Sequence, residues 1–228
     1  GRLAQESKDD ERALTLLIPG ANDKGFAMTG SYSCMLLLSA LIFDQASIED
    51  KRAWVARAAK MGRDVVAREP QIKAWVDRDF DRVTYLGSAS LSGLAREGQL
   101  KILELCAGRI ATSFDSSMGY RHGPKSFVDD RTLVFDFVSN DPYTRQYDLD
   151  ILNEIKGDEI AMATVGVQQR TGSDFEGENF SFDGDGLLPE AYLALPYVMF
   201  AQTVAINASI KVGNTPDTPS PTGTVNRV

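Results

Sequence analysis

The sequence predicts an α/β protein: a parallel sheet with helices packed on both of its faces. Three observations carry this. Runs rich in branched and aromatic residues at 82–87 (RVTYLG), 109–114, 132–139 (TLVFDFVS) and 161–167 have the length of buried strands. Helix-length stretches lie between most of them, and strands alternating with helices build a sheet covered on both sides. The 43% hydrophobic and 25% charged content of the 228 residues is that of a globular chain, which excludes disorder or a collagen-like repeat over most of the length.

In chain order, 15–20 (TLLIPG) reads as a short buried strand ending in a turn, and 21–43 as a loop running into a buried helix. From 47 to 77 the pattern is charged and amphipathic. Trp54, Val55, Ala58, Met61, Val65 and Val66 recur at helical spacings, and Pro70 divides the stretch into two helices. The strand 82–87 is followed by a small-residue loop, Ser88-Ala89-Ser90, and a helix through Ala107. Strands follow at 109–114 and 132–139, then a helix over 143–155, a strand at 161–167 and a fifth at 180–182. An apolar helix spans 189–211. The tail from 213 to 228 holds Pro216, Pro219 and Pro221 and reads as an extended arm. One strand and one helix cannot close a sheet, so the first 43 residues read as the end of another α/β unit.

The net charge of −8 and pI near 4.8 argue against a nucleic-acid or membrane surface, while a small anion remains compatible with helix N-termini and a few placed cations. The longest apolar run, 35–43, falls short of the ~20 residues of a membrane span, and the polar start lacks the pattern of a signal peptide. Cys34 and Cys106 each lie in apolar stretches and read as buried thiols of a reducing compartment, the cytoplasm. One histidine and two cysteines are too few for a zinc site built from those ligands, and no cofactor is expected.

The stretch 91–107 is the richest in chemistry. Glu97, Lys101 and Glu104 stand at i, i+4 and i+7 and share one stripe, bordered by Leu94 and Leu105 on one side and Leu100 on the other. Such a line fits a pocket lining or a buried ion-pair network as well as an ordinary surface Glu–Lys pair. The sole histidine, His122, sits in the turn GYRHGPK beside Arg121. Ser88 and Ser90, Ser116 and Ser117, and Ser139 and Asn140 follow three predicted strands. In a parallel sheet those loops form the ligand crevice, although serine and asparagine are also ordinary helix caps. Arg145, opening the next helix, adds a candidate anion contact.

Residues 82–157, with YLGSASLSGLAREGQLKILELCAG, SFDSSMGYRHGPKSFVDD and FVSNDPYTRQYDLDIL, resemble the sugar isomerase (SIS) domain superfamily. Within it they resemble the tagatose-6-phosphate ketose/aldose isomerase group, the galactosamine-6-phosphate deaminase/isomerases. NDKGFAMTGSYSCML and GNTPDTPSPTGTVNRV fit the same group. The resemblance implies two SIS domains per chain, each a flavodoxin-like three-layer α/β/α sandwich on a five-stranded parallel sheet. It makes 1–46 the closing part of a first domain, 47–80 linking helices, 81–212 the second domain and 213–228 an arm, so that the sequence reads as a C-terminal fragment. The serine- and threonine-rich phosphate loop of the first domain has no counterpart here.

By motif, the resemblance implies Glu104 as the base that moves a proton between C1 and C2, Lys101 as its cationic neighbour and Glu97 as a supporting acid. It gives His122 a part in ring opening, reaching into a partner subunit. Phe26 and Thr29 delimit the segment matching a substrate-lining turn. Ser88, Ser90, Arg121, Ser139 and Asn140 complete the expected substrate contacts. Ala89 stands where such loops often carry glycine. The implied reaction converts galactosamine 6-phosphate to tagatose 6-phosphate and ammonia. Simple aldose–ketose isomerisation of a hexose 6-phosphate, or non-catalytic sensing of a sugar phosphate, are the alternatives. The expected partners are a small sugar phosphate and further copies of the chain, in a homodimer or larger homo-oligomer with pockets at subunit interfaces. The apolar stretches 35–43 and 193–210 have more surface than this chain is expected to cover.

Overall fold

The computed structural model describes residues 2–184 and 186–225; Gly1 and the last three residues of the expected arm lie outside the described residues. Ahead of the sheet come helices α1 (Arg2–Glu6), α2 (Gly30–Phe43), α3 (Ile48–Ala67) and α4 (Glu69–Val76). Ser47 caps α3, its hydroxyl accepting from the Asp50 amide, and Pro70 opens α4, where its missing N–H costs nothing.

The sheet is formed by β1 (Arg82–Gly87), β2 (Ala111–Asp115), β3 (Thr132–Phe137), β4 (Ala163–Gln169) and β5 (Glu178–Phe182). All neighbours run parallel, in the order β2-β1-β3-β4-β5. This is the doubly wound order whose switch point lies between β1 and β3. The connecting helices are α5 (Ser92–Leu105), α6 (Ser117–Arg121) and α7 (Pro142–Asp158), and α8 (Glu190–Lys211) closes the domain. β3 and β4 are buried along their whole length, which is why they read as nearly unbroken apolar runs. β2, at the edge, is partly exposed and correspondingly polar.

Alternation along the strands divides the core. Val83, Tyr85, Phe135 and Phe137 face α3, α4, α5 and α8, and there Tyr85 stacks on Phe135 and Phe137 at 5.4 and 5.6 Å while Phe137 stacks on Tyr197. Leu86 and Val134 face the other way, onto Tyr120 of α6 and Ile151 and Ile155 of α7. α5 lies very close to the sheet because position 98 is glycine. A Cβ there would stand 3.1 Å from the Tyr85 ring and 3.3 Å from Ala201 Cβ of α8.

Three expectations need correction. Residues 15–20 form no strand: Leu14, Leu16 and Leu17 are exposed, no neighbouring strand pairs with them, and the run ends in the short helical turn Pro19–Ala21. α2 forms where expected, yet none of its residues is fully buried, and Phe43 is 81% exposed. The longest apolar stretch is α8, not 35–43. It is long and apolar enough to cross a membrane by composition, but 67% of that stretch is buried, as befits a core helix. Most of the surface expected to be uncovered on 193–210 is therefore inside the domain, with Ile206 and Ile210 the exceptions.

Candidate active site

Lys101 belongs to the buried stripe of α5, with Leu94, Gly98, Ile102 and Leu105. Its side chain is only 4% exposed. An ammonium taken out of water needs compensating charge, and both flanking acids supply it: Nζ lies 2.6 Å from Glu104 Oε2 and 3.4 Å from Glu97 Oε1. Burial pushes the Glu97 carboxyl above its ordinary value, opposed by the Lys101 charge and aided by Glu104. Tyr32 of α2 feels the same neighbourhood, its phenol raised by burial and by the Glu97 charge.

α5 ends directly after this trio. Ala107 and Gly108 turn left-handed, at φ 51° and 70°, and the Gly108 amide returns to the Leu103 carbonyl. Glu104, just before this turn, lines a cavity of about 640 Å3. Leu100, Leu103 and Phe26 line it on one side, and the C-terminal arm from Pro219 to Val225 on the other. Glu97 and Lys101 stand behind Glu104 and do not line the cavity. The arm is tied down by Asn214, whose side-chain amide donates to the Leu105 and Pro219 carbonyls, and by the Phe26 amide, which donates to the Asp217 carbonyl. Thr29 lies just beside, its hydroxyl 3.4 Å from the Asp23 carboxylate, which also accepts from the first amides of α2. It lines a neighbouring cleft and not the Glu104 cavity.

The remaining candidates stand elsewhere. α5 runs back along the sheet, so ~18 Å of helix separates its start beside Ser88 from Glu104. At the carboxyl edge of the sheet, Asp148 of α7 reaches the switch point, beneath a cleft of about 350 Å3 lined by Ser88, Ser116, Tyr143 and Thr144. Its Oδ1 accepts from Ser88 Oγ at 2.6 Å and from Ser117 Oγ, and its Oδ2 accepts from the Ser139 amide at 3.0 Å. Ser88, Ser117 and the Ser139 amide, which could otherwise face an anion, are thus turned toward this carboxylate. Ser139 Oγ donates to Glu190, and Asn140 donates to Gln169 Oε1 and the Leu188 carbonyl. Ser90 is exposed in the turn before α5. Arg145 is no open anion contact: it is buried and clamps Asp174 at 2.6 Å together with the Ser139 and Ser173 carbonyls. Arg121 pairs with Glu154 at 2.7 Å. His122, exposed after α6, stands on the face of the sheet opposite α5.

Ala89 adopts φ 47°, the left-handed conformation in which glycine is usual. Both cysteines are unpaired. Burial pushes the Cys106 thiol up to about 12, and Cys34 is half-buried. Among the described residues no cluster of histidine, cysteine and acidic side chains could hold a metal ion. The arm's share in the Glu104 cavity and the place of Asp148 are what sequence reasoning missed.

The doubly wound five-stranded sheet, with the Glu97–Lys101–Glu104 line beside a cavity, is an α/β/α arrangement that solved structures of phosphosugar enzymes share. The chain aligns over its whole length with the crystal structure of tagatose-6-phosphate ketose/aldose isomerase from Escherichia coli, at 37% identity and a TM-score of 0.88, covering 61% of that chain. The C-terminal domain of glucosamine-fructose-6-phosphate aminotransferase from Francisella tularensis shares the fold at 18% identity and a TM-score of 0.65, over 86% of this chain and 57% of that one. Among curated proteins, all of the chain is 41% identical over 241 residues to the D-galactosamine-6-phosphate deaminase AgaS of Escherichia coli, and 36% identical over 230 residues to that of Shewanella sp. strain ANA-3. The chain spans 60% of the length of the first relative and 56% of the second. No family model matches it.

Proposed function

We propose that this chain carries the proton-transfer centre of an amino-sugar-phosphate deaminase that converts galactosamine 6-phosphate and water to tagatose 6-phosphate and ammonia. The observation that carries the reading is the Glu104 carboxylate, presented to a cavity with the buried Lys101 ammonium 2.6 Å behind it. The names of the similar curated proteins support the substrate. Once the sugar ring is open, a carboxylate removes the proton at C2 of the aldehyde and returns it to C1. The amino group is then left on a C2 imine, which water hydrolyses to the ketose and ammonia.

On this reading Glu104 is the base. Lys101 does not line the cavity, so it acts through Glu104, holding the carboxylate in place, and Glu97 holds Lys101 in turn. Ring opening needs acid–base help, and on this reading the imidazole of His122 gives it. Exposed on the face of the sheet opposite α5, it cannot serve the Glu104 cavity of its own chain, and on this reading it serves that of a second copy in a homo-oligomer. Residues 81–212 form the domain that brings the trio, and 1–46 and 213–228 contribute Phe26 and the arm.

Ammonia release from galactosamine 6-phosphate by the full-length protein tests the proposal. Glu104→Gln is expected to abolish it while leaving the fold intact, and a variant with near-normal rate overturns the assignment. A second reading, aldose–ketose isomerisation without loss of nitrogen, is favoured by the name of the similar solved isomerase. Ketose formation from a hexose 6-phosphate, with no ammonia from the amino sugar, would select it.

A further inference from the structure

We propose that the C-terminal arm reads the hydroxyl groups of the substrate through Ser220, Thr222 and Thr224; this rests on the Glu104 cavity being the reaction site. A hexose presents several hydroxyls, and each needs a partner when it leaves water. Most of the cavity cannot supply one, since Phe26, Leu100, Leu103 and Ala107 are apolar. Glu104 offers acceptor oxygens alone, one of them already taken by Lys101, and Arg109 offers donors alone, one of its Nη groups already bound to the Val212 carbonyl at 2.7 Å. Every side-chain hydroxyl among the described lining residues comes from the arm.

Those hydroxyls keep capacity for a ligand. Thr222 Oγ1 and Thr224 Oγ1 lie 2.7 Å apart, so one donates to the other and the pair retains a hydrogen to give. Ser220 Oγ accepts from the Val225 amide at 3.2 Å, which leaves its own O–H for a ligand. Three hydroxyl residues at every second position form a rim on which donors and acceptors suit a ring bearing hydroxyls.

The rim is also pre-organised. Pro216, Pro219 and Pro221 restrict the arm, and Asn214 anchors it to the end of α5, so little freedom is left to lose on binding. The seat under the arm is shaped for close approach: a Cβ on Gly25 would stand 2.7 Å from Asp217 Oδ1, next to the Phe26–Asp217 backbone bond.

The test is steady-state kinetics of the full-length protein on galactosamine 6-phosphate. Thr222→Val with Thr224→Val keeps size and removes both hydroxyls. KM is expected to rise about tenfold or more, with kcat changed by less than about threefold. Thr222→Ser with Thr224→Ser, which keeps the hydroxyls, is expected to restore KM to within about twofold of the parent. That rescue separates recognition from a merely structural role. A valine pair whose KM stays within about twofold of the parent overturns the inference, and so does a serine pair as impaired as the valine pair. Glu104→Gln measured alongside tells which reading has failed. Its inactivity with an unchanged KM in the valine pair removes the arm alone; retained turnover removes both.

Discussion

The Lys101 ammonium and the Glu104 carboxylate meet at 2.6 Å, with the lysine almost wholly buried and the glutamate lining a cavity. Removing the cation would leave Glu97 and Glu104 as uncompensated, partly buried acids. Lys101→Met is therefore expected to cost about 3 kcal/mol of stability, read from the shift of the urea midpoint. Lys101→Arg is not expected to recover the parent, because a planar guanidinium does not fit a site shaped for a compact ammonium.

Asp136, in the middle of β3, is fully buried, and neither carboxyl oxygen has a hydrogen-bond partner among the described residues. Burial pushes its carboxyl well above the ordinary range, and the Asp148 charge adds to this. The folded state thus holds a proton that the unfolded chain gives up near pH ~4. Stability from this group is complete below that pH and is lost as pH rises toward the folded value. Asp136→Asn cannot ionise. Its stability relative to the parent is expected to improve between pH 4 and pH 8, approximately as the parent loses its own. Guanidinium midpoints across that range check this, and a constant difference would contradict it.

Asp148 joins three strand ends by accepting from Ser88, Ser117 and the Ser139 amide. Asp148→Asn keeps the shape. Its amide cannot accept on both sides, and one orientation sets N–H against the Ser139 N–H. A loss of about 2 kcal/mol is expected, measurable by chemical denaturation, with the sheet order unchanged.

At Ala89 the backbone is left-handed. Ala89→Gly removes the steric cost of that conformation but gives the unfolded chain more freedom. The net gain is expected at about 0.5 kcal/mol, seen as a small rise in Tm. A marked loss would mean that the methyl group packs more tightly than its exposure implies.

Much of the fold could be read along the chain because β1, β3 and β4, at the centre of the sheet, are compact runs rich in branched and aromatic residues, and because Pro70 marks a helix boundary that local chemistry dictates. TLLIPG misled for a reason of the same kind: its residues favour a strand, but a strand forms only where a neighbour pairs with it. The spacing of Glu97, Lys101 and Glu104 disclosed a shared stripe, and the burial of Lys101 between two acids gives that stripe a physical meaning. Asp148 could not be found this way, since its contact with Ser88 and Ser139 depends on the parallel register of β1 and β3. The arm was equally hidden. Every acceptor in its docking is a backbone carbonyl, that of Leu105, Pro219 or Asp217, and such groups leave no mark in side-chain pattern.

The missing side chain at Gly98 has a reach beyond its own packing. α5 rests there against Tyr85 and Ala201, while Lys101 and Glu104 ride on the next turns of the same rod. A methyl group at position 98 would press on the Tyr85 ring and on Ala201 at 3.1 to 3.3 Å, so either the ring or the rod would give by a few tenths of an ångström. Where the rod gives, the cargo at its far end travels with it. The height of the carboxylate above the sheet is thus linked to the depth of the core, through an atom that is not there.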